Sequence, residues 1–276
     1  MSTESPRSAF AQVDGQRVHY LEAGSGPPVL LLHGFPTSSH LYREVIPQLA
    51  ATHRAIAPDL PGFGRSDRPP GASYSFRYYE RILEGFAKQL GIEQTALVVH
   101  DLGGPIGLYW AAQHPERITH LGLLNTLVYP EMSWAVKLFV LATYLPGLRG
   151  FLASPQGIAW ALRFGVTKKE RLTEEVLAPY QDPFREAPAR RALLAAGHGL
   201  HPAGFKVIAG WIPQIRVPVH CIYGEQDRIL PDVADTMKRV QRDVPHATIT
   251  PLPDCGHFLQ EDAGEEVGRL LSGFLN

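Results

Sequence analysis

One stretch of the chain, from Ala96 to Gly107, most constrains what this sequence can fold into. An apolar run ends at His100, a single acidic residue follows at Asp101, and two glycines come almost at once. This pattern predicts a strand that breaks sharply into a helix, because glycine permits unusual backbone angles and close packing. The carboxylate at the bend would then point into a cleft.

A carboxylate at such a bend has two interpretations. An aspartate often caps the first turn of a helix that follows a buried strand. Alternatively, it is a nucleophile that attacks carbon and forms an ester, which water must later hydrolyse. That chemistry suits the opening of strained rings or the displacement of halide better than ordinary acyl transfer. We favour the nucleophile because matching partners for Asp101 occur later in the chain.

Around this stretch, short runs of leucine and β-branched residues alternate with helical patterns. The alternation is typical of a mostly parallel sheet flanked by helices, so the predicted fold class is α/β. The predicted strands are Val18–Glu22, Val29–His33, Ala55–Pro58, Ala96–His100, Leu121–Leu124, Val219–Tyr223 and Thr248–Thr250. The predicted helices are Ser39–Leu49, Phe76–Leu90, Pro105–Ala112, Val233–Gln241 and Glu265–Phe274.

The alternation stops after Leu124 and resumes at Val217. Between these points the sequence is helical in pattern, rich in aromatic residues and leucine, and contains no convincing strand. An insertion between two strands of an open sheet lies above the carboxyl ends of the strands, where such folds bind ligands. We therefore predict a core domain of residues 1–128 and 215–276, with residues 129–214 as a helical lid, called here the cap segment.

Two later motifs supply partners for Asp101. Gly224-Glu-Gln-Asp227 follows one predicted strand and places a carboxylate at its end, and His257 lies in the loop after the next strand. A histidine that Asp227 holds in the correct tautomer can act as a general base toward water. Glu225 is an alternative acid, but we expect its side chain to point elsewhere.

Taken together, several motifs resemble the epoxide hydrolase and haloalkane dehalogenase branch of the α/β-hydrolases. The resemblance implies the chain order of nucleophile, acid and histidine, with Asp101, Asp227 and His257 in these roles. It also implies an oxyanion hole formed by the backbone N–H groups of Phe35 and Leu102. The motifs are His33-Gly-Phe-Pro, Pro58-Asp-Leu-Pro-Gly-Phe-Gly-Arg-Ser66-Asp, His100-Asp-Leu-Gly-Gly, Gly224-Glu-Gln-Asp227 and Asp254-Cys-Gly-His257-Phe.

Within this branch, dehalogenases usually carry tryptophan after the nucleophile and often asparagine in the His-Gly turn, where both donate hydrogen bonds to the halide. This sequence has Leu102 and Phe35 at these positions, so the side-chain donors are absent. The acid position that some dehalogenases use after the preceding strand is Asn125, which favours Asp227 as the acid. Candidate halide donors and substrate contacts remain in the cap segment at Trp134, Trp160 and Trp211.

Epoxide hydrolases of this branch use cap phenols, generally two tyrosines, to protonate the alkoxide as the ring opens. Tyr144 is close to where the first would lie, and Tyr180 is a further candidate. His198 and His201 stand where we expect the second, and an imidazolium can also donate a proton. We put epoxide hydrolysis first and dehalogenation second. A different hydrolytic substrate, or a non-enzymatic ligand-binding role, is third.

The chain as a whole gives few indications of macromolecular partners. A net charge of −1 offers no electrostatic reason to bind nucleic acid or an anionic membrane. Residues Met1 to Arg7 lack the apolar stretch of a secretory signal, so we expect a cytoplasmic protein, either a monomer or a homodimer. We expect no cofactor and no metal, since His198 and His201 have no convincing further ligand, and we expect a small hydrophobic substrate together with water.

Overall fold

The computed structural model of the chain describes residues 6–276, which include eight strands. They form one sheet in the order β1-β2-β4-β3-β5-β6-β7-β8. The strands β3 to β8 run parallel, whereas β2 is antiparallel to both β1 and β4. The predicted α/β class is confirmed. The strands are β1 (Arg7–Val13), β2 (Gln16–Ala23), β3 (Pro28–Leu32), β4 (Arg54–Pro58), β5 (Thr95–Asp101), β6 (Ile118–Thr126), β7 (Val219–Gly224) and β8 (Thr248–Leu252).

Helices connect the parallel strands, and six of them lie between β6 and β7. In chain order the helices are α1 (Ile46–Leu49), α2 (Phe76–Gln89), α3 (Gly103–Gln113), α4 (Trp134–Tyr144), α5 (Pro146–Leu152), α6 (Pro155–Gly165), α7 (Glu174–Gln181), α8 (Ala187–His198), α9 (Pro202–Trp211), α10 (Val233–Asp243) and α11 (Leu259–Leu275). Short 3₁₀ helices span Ser39–Tyr42, Pro115–Arg117, Lys169–Arg171, Asp182–Arg185 and Ile212–Gln214.

The residues of the central strands account for their position in the middle of the sheet. Every residue of β5 is buried, and only the first residue of β3 is partly exposed. Strands covered on both faces are continuously apolar in this way, because neither face can carry polar side chains to water. The flanking helix α2 is instead amphipathic: Tyr79, Ile82, Leu83 and Phe86 recur at helical spacing and are buried.

The structure differs locally from the sequence prediction at three places, and two of the differences have a clear physical cause. The strand β1 was not predicted, because at the edge of the sheet it buries only Ala11 and Val13. The predicted helix over Ser39–Leu49 is broken into a 3₁₀ turn and α1. Pro47 accounts for the break, because in a continuous helix its ring would clash with the backbone carbonyl four residues earlier. The last helix, α11, begins six residues earlier than predicted, at Leu259.

The turn between β5 and α3 has the sharp bend that the sequence predicts. Asp101 has a backbone φ of 48°, in the left-handed region that non-glycine residues seldom adopt. The Oγ1 of Thr126, at the end of β6, donates a 2.7 Å hydrogen bond to the Asp101 carbonyl oxygen. A Cβ atom on Gly104 would overlap this same Thr126 hydroxyl. Glycine at position 104 therefore leaves room for the hydrogen bond that holds the bend at Asp101.

The order of the strands places this turn at a crevice. From β3 the chain crosses to β4 on one side, and later returns to β5 on the other side of β3. In open parallel sheets, ligands bind beyond the carboxyl ends of the strands at such a switch point. The loops after β3 and β5, which contain Phe35 and Asp101, therefore meet where a substrate would be expected.

Two further expectations concern the chain ends and membranes. The residues interpreted as lacking a secretory signal are largely outside the part of the chain that the structure describes, which begins at residue 6. Within that part, no single helix has the length and apolar composition to cross a bilayer. Helices α4 and α5, bent by 107° from one another, are long and apolar enough only when taken together.

We predict that Gly104→Ala lowers the free energy of unfolding by about 1–3 kcal/mol, the usual cost of overpacking a buried site. The added methyl must displace the Thr126 hydroxyl and loosen the bend. Gly273→Ala in α11 is the matched control, because its Cβ would meet no atom within 4 Å. Urea unfolding of the three proteins checks this, and equal stabilities would contradict the bracing role of Thr126.

Candidate active site

Asp101 lies at the centre of a group of buried polar residues. Its side chain is 12% exposed. The Phe35 N–H donates a 2.6 Å hydrogen bond to Oδ1, and His257 Nε2 is 3.3 Å from Oδ2. The loop after β3 approaches this closely because residue 34 is glycine, and a Cβ there would overlap the Asp101 side chain. The carboxylate is thus held by both oxygens.

His257 is fixed on three sides. Its Nδ1 forms a 2.8 Å hydrogen bond with Asp227 Oδ2, and its backbone N–H donates to the Gly165 carbonyl in the cap segment at 2.7 Å. The His100 ring lies 4.9 Å from the His257 ring, with Nε2 2.9 Å from the His257 carbonyl oxygen. The imidazole therefore spans the two carboxylates, and His100 has a supporting position behind it.

Asp227 accepts hydrogen bonds at both oxygens. The backbone N–H groups of Ile229 and Leu230 donate to Oδ1 at 2.8 and 2.7 Å. The Asn125 side chain donates to Oδ2 at 2.7 Å, and its own Oδ1 accepts the Gly224 N–H at 2.9 Å. Glu225, the alternative acid, is exposed. The structure therefore brings Asp227 to the histidine, with Asn125 as a partner of the acid.

The charges of these groups depend strongly on one another. Burial alone would lower the pKa of His257, but the negative charges of Asp227 and Asp101 outweigh it and raise the pKa to about 10. Burial would likewise raise the pKa values of both carboxyls, but the nearby His257 imidazolium and their hydrogen bonds bring them below the ordinary value. At neutral pH the resting site is a buried imidazolium between two carboxylates.

The two proposed oxyanion donors already contact Asp101. Phe35 donates to Oδ1, and the Leu102 N–H also stabilises the ionised carboxyl. In an ester formed on Asp101, the carbonyl oxygen would lie where these donors point. They would then stabilise the negative charge that develops when water attacks the ester.

The structure does not bring Tyr180 to this group. The ring is buried, and its hydroxyl donates a hydrogen bond to Glu261 Oε1. Both Glu261 oxygens also accept hydrogen bonds from the Arg43 guanidinium, at 2.6 and 2.7 Å. A phenol held in this way joins the cap segment to the core, which weakens the expected role of Tyr180 as a substrate contact.

Tyr144 and His198 form a stacked pair on the cap segment. Their rings are 4.4 Å apart and nearly parallel, and Tyr144 is 61% exposed. The Nε2 of His198 forms a 2.6 Å hydrogen bond with Thr143 Oγ1, and partial burial lowers the pKa of the imidazole. The exposure of Tyr144 contrasts with the burial of Asp101, which weakens its expected role as the acid.

The other residues predicted to contact the substrate are spread over the cap segment. Trp134 is 71% exposed, and Trp160 is half exposed with its ring stacked on Phe164. Trp211 is partly buried and packs against the main hydrophobic core. His201 is exposed and caps α9 by accepting the Ala203 N–H at Nδ1. In the described chain, no cluster of three or more His, Cys, Asp or Glu side chains could hold a metal ion.

Two buried acids near His257 were missed by the sequence analysis. Glu261 contacts Arg43 and Tyr180, as described above. Asp262 accepts the Gly256 N–H at 2.7 Å from the loop that carries His257, and accepts the N–H groups of Thr167 and Lys168 from the cap segment. Acidic residues at the start of a helix usually interact only with its N-terminus. The pattern alone therefore gave no reason to single out this pair.

Comparisons with known proteins agree with the fold and the site. The α/β-hydrolase fold family matches residues 27–264, and the chain therefore belongs to the α/β-hydrolases. It is a hydrolase, and its relatives fall in the branch that the motifs indicated.

Two relatives and one solved structure illustrate this. The cis-3-alkyl-4-alkyloxetan-2-one decarboxylase of Shewanella oneidensis is 32% identical over 96% of this chain and 87% of its own length. A haloalkane dehalogenase of Psychrobacter cryohalolentis is also 32% identical, over 94% of this chain and 88% of its own. The crystal structure of haloalkane dehalogenase DbeA from Bradyrhizobium elkani superposes with a TM-score of 0.86 at 26% identity, covering 98% of this chain and 97% of that one.

We predict that Asp101→Asn lowers the pKa of His257 from its value of about 10, because one of the two negative charges that raise it is removed. The pKa is measured by following the imidazole signals of His257 by NMR as a function of pH. Asp254→Asn, which removes an exposed acid from the same loop, is the control. An unchanged pKa in Asp101→Asn, or equal shifts in both variants, would contradict the proposed charge arrangement.

Proposed function

We propose that the protein hydrolyses small apolar haloalkanes through a covalent ester on Asp101. The observation that carries this proposal is the pair of contacts to the Asp101 carboxylate, with Phe35 N–H on Oδ1 and His257 Nε2 facing Oδ2. A carboxylate held at a bend in this way is a nucleophile toward carbon, and the ester it forms must be hydrolysed by water.

In the first step, Asp101 Oδ2 attacks the carbon that bears the halogen. The carbon–halogen bond breaks, and the halide leaves with the bonding electrons. Asp101 is now an uncharged ester, so one of the two charges that raise the pKa of His257 is gone. The pKa therefore falls, and the proton that the imidazolium releases balances the charge of the departing halide.

In the second step, neutral His257 acts as a general base. Its Nε2 takes a proton from water as the water oxygen attacks the ester carbonyl carbon, and Asp227 stabilises the imidazolium that forms. The negative oxygen of the tetrahedral intermediate is stabilised by the N–H groups of Phe35 and Leu102. When the intermediate collapses, the bond to the alkyl oxygen breaks. The alcohol leaves with a proton from His257, and Asp101 is left as a carboxylic acid. Its proton then passes to the neutral imidazole, which restores the Asp101 carboxylate and the His257 imidazolium.

Two findings favour halide over the epoxide that the sequence analysis put first. Several of the named relatives and structural neighbours of this chain are haloalkane dehalogenases. An epoxide also needs a proton donor, because an alkoxide is a poor leaving group at neutral pH. The expected donors do not favour it, since Tyr144 is mostly exposed and the Tyr180 hydroxyl is bound to Glu261.

A second candidate is the opening of a strained β-lactone. Phe35 and Leu102 offer no side-chain donor to a leaving group. A lactone opened at its alkyl carbon releases a carboxylate, which is stable without a proton and stays tethered to the substrate. When the bond from the substrate to this carboxylate breaks, its electron pair forms a carbon–carbon double bond and the bond to Asp101 breaks, which releases carbon dioxide and an alkene and restores the Asp101 carboxylate. The Shewanella oneidensis relative is named as a decarboxylase of an oxetan-2-one.

The experiment that tests the proposal is a parallel assay of the purified protein with 1-bromobutane, styrene oxide and a cis-3,4-dialkyl-oxetan-2-one. Release of bromide, diol or carbon dioxide is measured for each, with Asp101→Asn as the inactive control. We expect bromide release that depends on Asp101. Turnover of only the epoxide or only the lactone would contradict the haloalkane proposal.

We predict that His257→Gln still reacts with 1-bromobutane but stops at the ester, because glutamine cannot take the proton from water. The ester is detected as an alkyl mass adduct on the Asp101 peptide. His246→Gln, which changes an exposed histidine, should turn over normally. With unmodified protein in oxygen-18 water, a single turnover should place label in Asp101. Label found only in the alcohol would argue against the ester.

We further predict that bromoalkanes react much faster than chloroalkanes, because chloride depends more on donors that Leu102 and Phe35 do not provide. A hydrogen bond to a charged group contributes about 1.5–3 kcal/mol, so Leu102→Trp should raise kcat/KM for 1-chlorobutane by about tenfold or more. Leu102→Phe, with similar bulk and no N–H, is the matched control. Equal effects of tryptophan and phenylalanine would rule out a missing donor as the cause.

A further inference from the structure

The outer surface of the cap segment is unusually apolar. Helix α4 buries only Thr143, and α5 has no buried residue. Large apolar side chains instead project from α4, α5 and α6, which together form the surface called here the apolar face. Its main members are Trp134 (71% exposed), Leu138 and Leu141 (both 57%), Leu148 (48%), Phe151 (44%) and Trp160 (50%).

Isolated apolar side chains on a surface need no explanation, whereas a contiguous group of this kind marks an interaction site. Contacts between rings link the members of the face. The Trp160 ring stacks on Phe164 at 5.4 Å and meets the Phe151 ring edge-on at 6.2 Å. The apolar face is therefore one surface across α5 and α6, continuous in sequence with α4.

The three helices that form this surface carry charged residues of one sign only, although Glu131 and Glu170 flank the segment. Residues 132–169 contain Lys137, Arg149, Arg163, Lys168 and Lys169, and no aspartate or glutamate. The chain as a whole has a net charge of −1, so positive charge is concentrated here. A second copy of the chain packing on this face by two-fold symmetry would bring two such basic surfaces together. That repulsion disfavours a homodimer and favours an anionic partner.

We propose that the apolar face docks on the surface of an anionic lipid bilayer. Tryptophan and tyrosine rings are enriched where lipid chains meet headgroups, and basic side chains add attraction to anionic lipids. Helices α4 and α5 have 11 and 7 residues, too short to span a hydrocarbon core of about 30 Å. The docking is therefore peripheral, and it revises our expectation that the chain has no membrane partner.

The apolar face lies close to the candidate active site, which suggests how membrane docking would serve the enzyme. Phe139, on α4, contacts the Phe35 ring with a centroid distance of 5.4 Å, and the Phe35 N–H binds Asp101. The face thus lies directly above the candidate active site. Docking would therefore bring the part of the cap segment that contacts Phe35 close to apolar substrates dissolved in the bilayer. Docking itself does not depend on which leaving group the enzyme displaces.

The test is sedimentation of the full chain with large vesicles of phosphatidylcholine, with and without phosphatidylglycerol. We expect binding to vesicles that contain phosphatidylglycerol, weakened by salt. Each basic residue near the membrane contributes about 1 kcal/mol, or about fivefold in affinity. K137E/R149E should therefore lower the partition coefficient at least tenfold. Leu138→Ser with Leu141→Ser and Leu148→Ser should lower it at least as much, since these side chains enter the lipid.

The matched control is K206E/V207S, which changes an exposed basic residue and a 40% exposed apolar residue on α9, outside the apolar face. It should bind like the unmodified protein, and thermal melting verifies that every variant is folded. Lipids with brominated chains should quench tryptophan fluorescence in the unmodified protein, and W134F/W160F should remove most of this quenching. Failure to bind phosphatidylglycerol vesicles, or equal binding by all variants, would overturn the proposal. So would a stable dimer, abolished by the leucine substitutions, without lipid binding.

Discussion

The candidate site depends on one buried ionic arrangement, an imidazolium between two carboxylates. Each member would be costly to bury alone, since an isolated charge in the protein interior loses its hydration. Together they hold one another ionised, with Asp227 bonded to four donors and Asp101 held by Phe35 and His257. The same arrangement links the two chemical steps. Forming an ester removes one charge, and that loss converts His257 from a charge partner into a base.

Much of the fold, and the three loops that carry Asp101, Asp227 and His257, could be predicted from the sequence because they depend on patterns among neighbouring residues. The apolar run before Asp101, the glycines after it, and the loops that carry Asp227 and His257 follow from strand and turn chemistry. The edge strand β1 was missed because it buries too few residues to show a pattern. The break in the helix near Pro47 could have been predicted, because a proline inside a helix disrupts it, but the sequence analysis did not take Pro47 into account.

The cap segment was harder to interpret, for a physical reason. Helical spacing shows which residues share a face of a helix, but it does not show which neighbour that face meets. Tyr144 and Tyr180 are both tyrosines of the cap segment, and the sequence analysis put Tyr144 first and Tyr180 as a further candidate. The structure leaves one largely exposed and binds the other to Glu261. Such differences arise from contacts between residues far apart in the chain, such as Arg43 with Glu261, which no local pattern encodes.

The contacts of Asp262 have a consequence for how this enzyme could diversify. One carboxylate accepts N–H groups from the loop that carries His257 and from Thr167 and Lys168 after α6. In a recombinant, the helices on either side of residues 165–168 could be exchanged. If residues 165–168, called here the strap, were kept, the contacts that position His257 would be kept with them. Substrate preference and surface chemistry could then change by segment exchange while the catalytic base stayed in register. A graft that cut through the strap would lose the base even with every catalytic residue retained.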